Sequence, residues 1–303
     1  MMNGHPPPLS DHGRVRVPGV RRHVFVSLAL VLAELCGLGC TSPLSALTAE
    51  RTLTVDAQRY QLRSTEDAGR DVERVSSALS AATGPLGIWG GLEQPVTVHL
   101  LPDHEQLERA VRRPGFAWLR AWARYDDVML QAPSTWAPTQ EPLVELLTHE
   151  LTHCLMFQRS GGADDWGRRG IPLWFREGMA IWTAKQGDKY PTLEDASTWL
   201  AQHRELDAFK DGEALSRDFS GPVYGLAHHA FAFLARRYGV KTISAVMQHM
   251  KGGQDFSDAF TRAVGLTPRL FQRDFETYLR LKGFRDWARP VGRPPKRLQD
   301  VLR

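Results

Sequence analysis

The spacing of apolar residues in the first part of the chain predicts a small sheet with helices between its strands. In chain order the pattern gives a strand or hairpin over residues 51–64, a helix over 66–83, a strand at 96–101, a helix to about residue 112, and a strand at 127–131. Gly84-Pro85 ends the first helix, and Asp103 is placed to cap the second.

From residue 142 onward the pattern predicts helices almost throughout. They cover residues 142–160, 172–182, 193–203, 222–238, 242–250, 256–264 and 267–281. Strands followed by a run of helices are typical of an α+β fold, with a small amino-terminal mixed sheet and a mainly helical carboxy-terminal part.

The helix that begins near Pro142 and ends before Gly161-Gly162 is apolar on nearly every side, which indicates a core helix. His149, Glu150 and His153 nevertheless lie within it. Buried polar groups need partners, so these residues either share a metal ion or find hydrogen bonds inside the core. Both interpretations stay open on the pattern alone.

His149 and His153 are four positions apart, a spacing that places both imidazoles on one face of a helix, with Glu150 beside them. This is the arrangement of zinc hydrolases. Cys154 directly follows His153 but lies about 100° further round the helix, so we expect a small buried residue and not a ligand. His99 and His104 have no partner at ligand spacing and are expected to be structural or surface residues.

Glu177 is the candidate third metal ligand. It lies on the helix after Pro172, one turn from the apolar residues Leu173 and Ile181, and 24 positions after His153, which leaves room for a loop and a returning helix. A catalytic zinc ion takes three protein ligands and a water. The alternative is a solvated helix glutamate. Gly178 beside it removes a side chain where another backbone can approach.

The set predicts hydrolysis of peptide bonds with Zn²⁺ as cofactor. Zinc lowers the pKa of its water towards about 7 and polarises the substrate carbonyl, while Glu150 acts as general base and passes the proton to the leaving amine. The oxyanion needs a donor, for which Tyr224 is the first candidate and His228 or His229 the second. The strand around residues 128–131 is expected to bind an extended substrate by strand addition.

The chain resembles the gluzincin metallopeptidases, in particular the peptidase MA-like domains of bacterial envelope proteins. The resemblance covers roughly residues 50–282 and rests on His149-Glu150-Leu151-Thr152-His153, on the segment 171–180 around Glu177, and on the helix that Tyr224 opens. It implies a zincin-like fold, with His149, His153 and Glu177 as zinc ligands and Glu150 as base.

The sequence departs from that family at two points. Thermolysin-like relatives have an aspartate four residues after the ligand glutamate that orients a histidine, but Ile181 stands there in this chain. The partner of that histidine must therefore come from elsewhere. The segment with which related aminopeptidases hold a free amino terminus is also missing, so an endopeptidase is the expected type.

The amino-terminal residues 1–40 resemble an export signal. Arg21-Arg22 precede an apolar run that is shorter than the roughly 20 residues needed to span a bilayer, and Gly37-Leu38-Gly39-Cys40 resembles a lipoprotein box. We expect lipidation of Cys40 and tethering to the membrane of a bacterial cell envelope. Simple secretion and an uncleaved anchor are the alternatives.

The predicted organisation is a signal with Cys40 over residues 1–40, a linker over 41–50, the peptidase domain over 51–282 and a basic Pro- and Arg-rich tail over 283–303. The net charge of +4 gives no reason to expect a nucleic-acid partner. The expected partners are a peptide or protein substrate and the membrane. A non-catalytic envelope lipoprotein, using the same fold as a zinc-stabilised binding or scaffolding module, is the alternative function, and a helical binding protein with a fortuitous motif is a third.

Overall fold

The structure is a computed structural model that describes residues 42–165 and 169–287, with side chains to residue 282. A five-stranded mixed sheet forms its first half. The strands are β1 (Ala49–Val55), β2 (Gln58–Ser64), β3 (Val96–Leu101), β4 (Ala121–Arg124) and β5 (Asp127–Gln131). Their order is β1-β2-β3-β5-β4. The two sequential hairpins at the edges are antiparallel, and the inner pairs β2–β3 and β3–β5 are parallel.

Residues 51–64, predicted as a strand or hairpin, form the β1–β2 hairpin. Asp56 and Ala57 at its tip both have positive φ, which matches the twist that two-residue hairpins require. Strand β4 is missing from the sequence prediction because its four residues are too few to show an alternation. It lies against β5 through a second tight turn that contains Tyr125, also at positive φ.

Helices complete the sheet and fill the second half of the structure. They are α1 (Gly69–Leu86), α2 (His104–Val111), α3 (Glu141–Ser160), α4 (Leu173–Thr183), α5 (Leu193–Gln202), α6 (Gly212–Leu215), α7 (Ser220–Tyr238), α8 (Val240–Lys251), α9 (Phe256–Val264) and α10 (Pro268–Trp287). Asp103 caps α2 by accepting from the Gln106 backbone, as predicted. The prediction that Gly84-Pro85 ends the first helix is wrong, because α1 continues through both residues to Leu86. The fixed φ of proline fits a helix, and near the helix end its missing N–H removes one hydrogen bond. The predicted α+β class is confirmed.

The sheet separates two apolar cores. Val96, Val98 and Leu100 of β3 face the larger one, which also contains α1, the buried residues of α3 and α4, and the aromatic residues of the later helices. Leu101 packs with Leu47 and its neighbours in the smaller core beneath α2. The alternation along β3 therefore assigns its residues to the two faces of the sheet. α3 lies in the larger core, which agrees with its apolar pattern.

Helices α4 and α7 are in backbone contact at Gly178. A Cβ atom built on Gly178 would lie 2.4 Å from the carbonyl oxygen of Ala227 and 2.7 Å from Cβ of Phe231. The expectation that Gly178 allows another backbone to approach is confirmed. This contact fixes α4, and with it Glu177, against the helix that carries Tyr224.

One prediction about the sheet is wrong. Strand β5, expected to accept a substrate strand, is paired on both sides, with β3 and with β4, so no backbone edge remains for another strand. The edge strand on that side of the sheet is β4. The error follows from the missed strand.

Several predictions concern segments outside the described residues. The export signal, Cys40 and most of the basic tail fall in residues 1–41 and 288–303, and residues 166–168 are also not described. Among the helices that the structure does describe, none combines the length and the apolar character that a bilayer crossing requires.

Candidate metal centre

Helix α3 brings the imidazoles of His149 and His153 together on one face. Their Nε2 atoms lie 3.2 Å apart and the ring planes are nearly perpendicular, at 80°. His153 is 7% exposed, and its ring stacks on Phe157 one turn further along the helix. The two nitrogens thus converge on one point beside the helix, as the spacing of four residues predicts.

Helix α4 adds the carboxylate of Glu177 to this point. Oε2 of Glu177 lies 3.4 Å from Nε2 of His149 and 3.5 Å from Nε2 of His153. Glu177 is only 9% exposed, which excludes the solvated glutamate considered as the alternative. The three side chains form the one group in the described part of the chain with the ligand number and spacing of a metal site.

Arg176 binds the other oxygen of the same carboxylate. Its Nε donates to Oε1 of Glu177 at 3.2 Å, and its guanidinium also pairs with Glu213 of α6. The guanidinium therefore occupies Oε1 and leaves Oε2 directed at the histidines. A buried carboxylate is costly without such compensation.

The charges of the centre shift the pKa values of its members. Burial favours the neutral form of Glu177, but the two histidines and Arg176 outweigh it, so the pKa of Glu177 lies well below its usual range. Burial lowers the pKa of His149, yet the hydrogen bond with Glu177 and the nearby carboxylates raise it overall. The low pKa of Glu177 keeps a negative charge beside the two imidazoles, and this charge favours a bound cation.

Glu150 lies beside the convergent atoms and not among them. It is 7% exposed, and the backbone N–H of Ala123 in β4 donates to its carboxylate. Burial raises the pKa of Glu150, against the opposing effect of the two histidines. A carboxylate with a raised pKa next to a metal position is suited to accept a proton.

Gln186 holds the far side of His149. The structure places its Oε1 2.9 Å from Nδ1 of His149. The corresponding nitrogen of His153 is buried and has no hydrogen-bond partner among the described residues. The two histidines are therefore oriented by different means, one by a hydrogen bond and one by packing.

A groove of about 340 Å³ opens beside Glu177. Tyr224 lines it together with Arg176, and Arg113, Trp118 and Trp122 form part of its wall. Burial, and then the charge of Glu177, raises the pKa of Tyr224 and also that of Tyr190, whose ring centroid is 6.1 Å from that of Tyr224. Both phenols are consequently neutral donors near the centre.

The histidines proposed as second candidates for the oxyanion donor have other contacts. His228 packs against Gly187 so closely that a Cβ there would lie 2.3 Å from its Nε2. Nε2 of His229 lies 2.9 Å from the carbonyl oxygen of Pro191, to which it donates. These contacts fasten residues 187–191 to α7, and Tyr224 remains the candidate of that helix which lines the groove.

The remaining residues considered in the sequence lie apart from the centre. Cys154 is fully buried and burial raises its pKa well above the usual value, so it is a protonated core thiol, as expected. His99 lies 2.6 Å from Asp127, and His104 contacts Gln131. None of the three belongs to the candidate metal group of His149, His153 and Glu177.

The three convergent side chains fit a zinc ion in chemistry and in size. Two imidazoles and one carboxylate are a common ligand set of catalytic zinc. Zinc–ligand distances of about 2.0–2.1 Å in a tetrahedron place neighbouring ligand atoms about 3.3 Å apart. The observed separations of 3.2, 3.4 and 3.5 Å agree with that value. Of the three residues, Glu177 lines the groove.

Three supporting residues were not predicted: Arg176, Gln186 and Ala123. Arg176 stands next to Glu177 in the sequence, but nothing in the pattern indicates which way its side chain turns. Gln186 and Ala123 lie in a loop and in the unpredicted strand β4. Their roles depend on tertiary contacts, which periodicity does not report.

Comparison with known proteins adds distant similarities. No family model matches the chain. An uncharacterized Bacillus subtilis protein, YhcO, is 26% identical over 132 residues, which are 43% of this chain and 39% of YhcO. A crystal structure of a two-domain M1 zinc metallopeptidase mutant bound to L-arginine has a TM-score of 0.36 and 14% identity, covering 82% of this chain and 53% of that one.

A second solved structure, an aminopeptidase N family protein from Idiomarina loihiensis, has a TM-score of 0.30 and 12% identity, covering 84% of this chain and 46% of that one. The chain thus spans about half or less of the length of each of these proteins. At these scores the similarities establish no family membership.

Proposed function

We propose that the protein is a zinc-dependent peptidase, most simply an endopeptidase of gluzincin type. The observation that carries the proposal is the convergence of His149 Nε2, His153 Nε2 and Glu177 Oε2 within 3.2 to 3.5 Å of one another. These three residues would hold a zinc ion, which would supply a Lewis acid for the scissile carbonyl and lower the pKa of the attacking water.

Glu150 is the general base of this proposal. Its carboxylate adjoins the centre without competing for the ligand position, and the backbone N–H of Ala123 contacts it. It accepts the proton of the attacking water and delivers it to the leaving amine, which balances the hydrolysis.

Tyr224 is the proposed donor to the oxyanion. The tyrosine lines the groove next to Glu177, and its raised pKa keeps the hydroxyl protonated. A neutral hydroxyl that donates to developing negative charge stabilises the transition state more than the ground state.

The edge of β4 is the proposed binding site for the substrate backbone. Gln131 N donates to Arg120 O, so alternation along the antiparallel ladder directs the backbone groups of Ala121 and Ala123 towards the free edge. Ala123 N–H is already bonded to Glu150. An extended peptide on this edge would therefore run beside the general base.

Anchoring to the membrane through a lipid on Cys40 is a separate proposal. Lipidation of Cys40 would attach the domain to the membrane of a bacterial envelope, and it rests on the sequence of residues 37–40 alone. Expression of the full chain with Cys40→Ser tests it: the wild type should partition with membranes and the variant should not. Equal partitioning of both would refute it.

The decisive test of the activity is Glu150→Gln. The variant should bind zinc as the wild type does and lose at least about 100-fold in cleavage of a mixed peptide library, because only the proton acceptor is removed. Glu141→Gln, in the exposed first turn of the same helix, is the control and should change neither property. Zinc binding without any cleavage by the wild type would favour the non-catalytic binding module instead.

A further inference from the structure

The contact between His149 and Gln186 goes beyond the residues that the metal-binding motif defines. Nδ1 of His149 lies 2.9 Å from Oε1 of Gln186, while Nε2 of the same ring faces Glu177. An amide oxygen only accepts, so the ring nitrogen facing it must carry a proton. The other nitrogen, directed at the centre, is then the one with a free lone pair.

The position where relatives have an orienting aspartate cannot serve here. Ile181 is fully buried in the apolar core. Gln186 instead follows the end of α4, where the chain turns through Lys185 at positive φ and the Gln186 N–H donates to the Ile181 carbonyl. This turn closes the helix and directs the amide back to α3.

The segment after Gln186 is fixed to two helices. Gly187 fits under the ring of His228, where a Cβ atom would lie 2.3 Å from Nε2, and Pro191 is held by the imidazole of His229. Lys189 pairs with Glu145 of α3, one turn before His149. Since both ends of the segment are anchored, the amide of Gln186 is held in place and is not a mobile surface group.

The second histidine, His153, has no hydrogen bond that orients its ring among the described residues. Its Nδ1 is buried without a hydrogen-bond partner among the described residues, and its ring orientation depends on stacking with Phe157. Among the described contacts, a hydrogen bond therefore orients only the His149 imidazole. The group that makes this bond is the neutral amide of Gln186, which lies outside the motif.

We infer that Gln186 is a positioning residue for the metal ligand His149. The inference rests on the proposed zinc site. Gln186 fixes the His149 tautomer that has its proton on Nδ1, and it holds the ring so that Nε2 meets His153 and Glu177. Groups that orient metal-bound histidines in this way typically contribute 10- to 100-fold to metal affinity.

The test is the zinc dissociation constant, measured by competition with a chromophoric chelator, for wild type, Gln186→Met and Gln186→Glu. The methionine variant keeps the length of the side chain but lacks the acceptor, and should bind zinc about 10- to 100-fold more weakly. The glutamate variant restores an acceptor and should bind within about threefold of wild type or more tightly. Gln272→Ala, which removes the partly buried hydrogen bonds of a glutamine of α10 to Asp207 and Glu276, is the matched control.

Thermal unfolding in excess chelator separates positioning from a general structural role. Gln186→Met should unfold within about 3 °C of the wild type when no zinc is bound. If Gln186→Met does not fold, the zinc affinity of Gln186→Glu is the test. A loss of zinc affinity in Gln186→Glu would then overturn the inference. Equal zinc affinity of Gln186→Met and wild type would overturn it as well, with the proposed function intact. Failure of the wild type to bind zinc would refute the proposed function itself.

Discussion

Arg176 and Glu177 are adjacent in sequence, and Nε of the arginine donates to Oε1 of the glutamate at 3.2 Å. Because this contact leaves Oε2 facing the two histidines, the arginine side chain sets the direction in which the carboxylate can bind. The pair links α4 to α6 through the second contact of Arg176, with Glu213. Arg176, Glu177 and Glu213 all line the groove, so these ion pairs form part of its wall.

Removal of Arg176 should destabilise the metal-free protein. Arg176→Met leaves a buried carboxylate with fewer compensating charges, and we expect the free energy of unfolding to fall by about 2–4 kcal/mol. Glu213→Gln removes the exposed partner of the same guanidinium and should cost less than about 1 kcal/mol. Urea unfolding at pH 7 in chelator measures both. Equal losses would show that the Arg176–Glu177 contact is not the one that matters.

Gly178→Ala should destabilise the fold by about 2 kcal/mol or more. The added Cβ would lie 2.4 Å from a backbone oxygen of α7, so one of the two helices must move. Gly69→Ala, at the start of α1, is the matched control, because a Cβ there meets nothing within 4 Å, and it should be neutral or stabilising. Unfolding free energies of the two variants compare the positions directly. A neutral Gly178→Ala would contradict the close packing of α4 and α7.

Tyr224→Phe should lower kcat about 100-fold or more and leave zinc stoichiometry unchanged. In the proposed reaction the hydroxyl acts on charge that develops in the transition state, so its loss should not disturb metal binding. Tyr238→Phe, at the other end of α7, serves as the control. Steady-state cleavage of a single peptide found in the library gives the comparison. A large loss of kcat in Tyr190→Phe with no loss in Tyr224→Phe would identify Tyr190 as the oxyanion donor instead.

His228 should make the protein less stable in acid. Burial, and then the neighbouring His229, lowers the pKa of His228 from 6.5 to about 4. Between these values the unfolded chain binds a proton that the folded protein excludes, so stability is complete above pH 6.5 and falls as the pH drops towards 4. From pH 7 to 4.5 the wild type should lose on the order of 2 kcal/mol more than His228→Gln.

This difference is measured by urea unfolding in chelator, so that release of zinc does not contribute. The same loss in wild type and His228→Gln would show that other groups account for the acid sensitivity. A smaller loss in the wild type would mean that the pKa of His228 is raised in the folded protein, contrary to its burial.

Local patterns were sufficient for the elements with strong periodicity. The alternation of residues 96–101 predicts β3, and the all-round apolar character of α3 correctly predicts a core helix that carries His149 and His153. The apolar surroundings of Glu177 correctly predict a buried carboxylate. In each case the signal lies within one element, where spacing determines direction.

Tertiary contacts between weakly patterned segments were not predictable in this way. Strand β4 has only four residues, and its absence from the prediction led to the wrong edge of the sheet. Gln186 lies after the end of α4, and its contact with His149 spans 37 positions. Such a contact depends on the closing turn at Lys185 and on the packing of Gly187. Neither feature produces a periodic pattern of apolar residues in the sequence.

We propose that His149, His153 and Glu177 bind one zinc ion together. The test is the zinc content, measured by mass spectrometry, of purified wild type and Glu177→Ala after dialysis against a weak chelator. We expect about one zinc per wild-type chain and almost none in the variant, with circular dichroism showing that both are folded. A folded wild type without zinc, or a variant that retains a full equivalent, would contradict the claim.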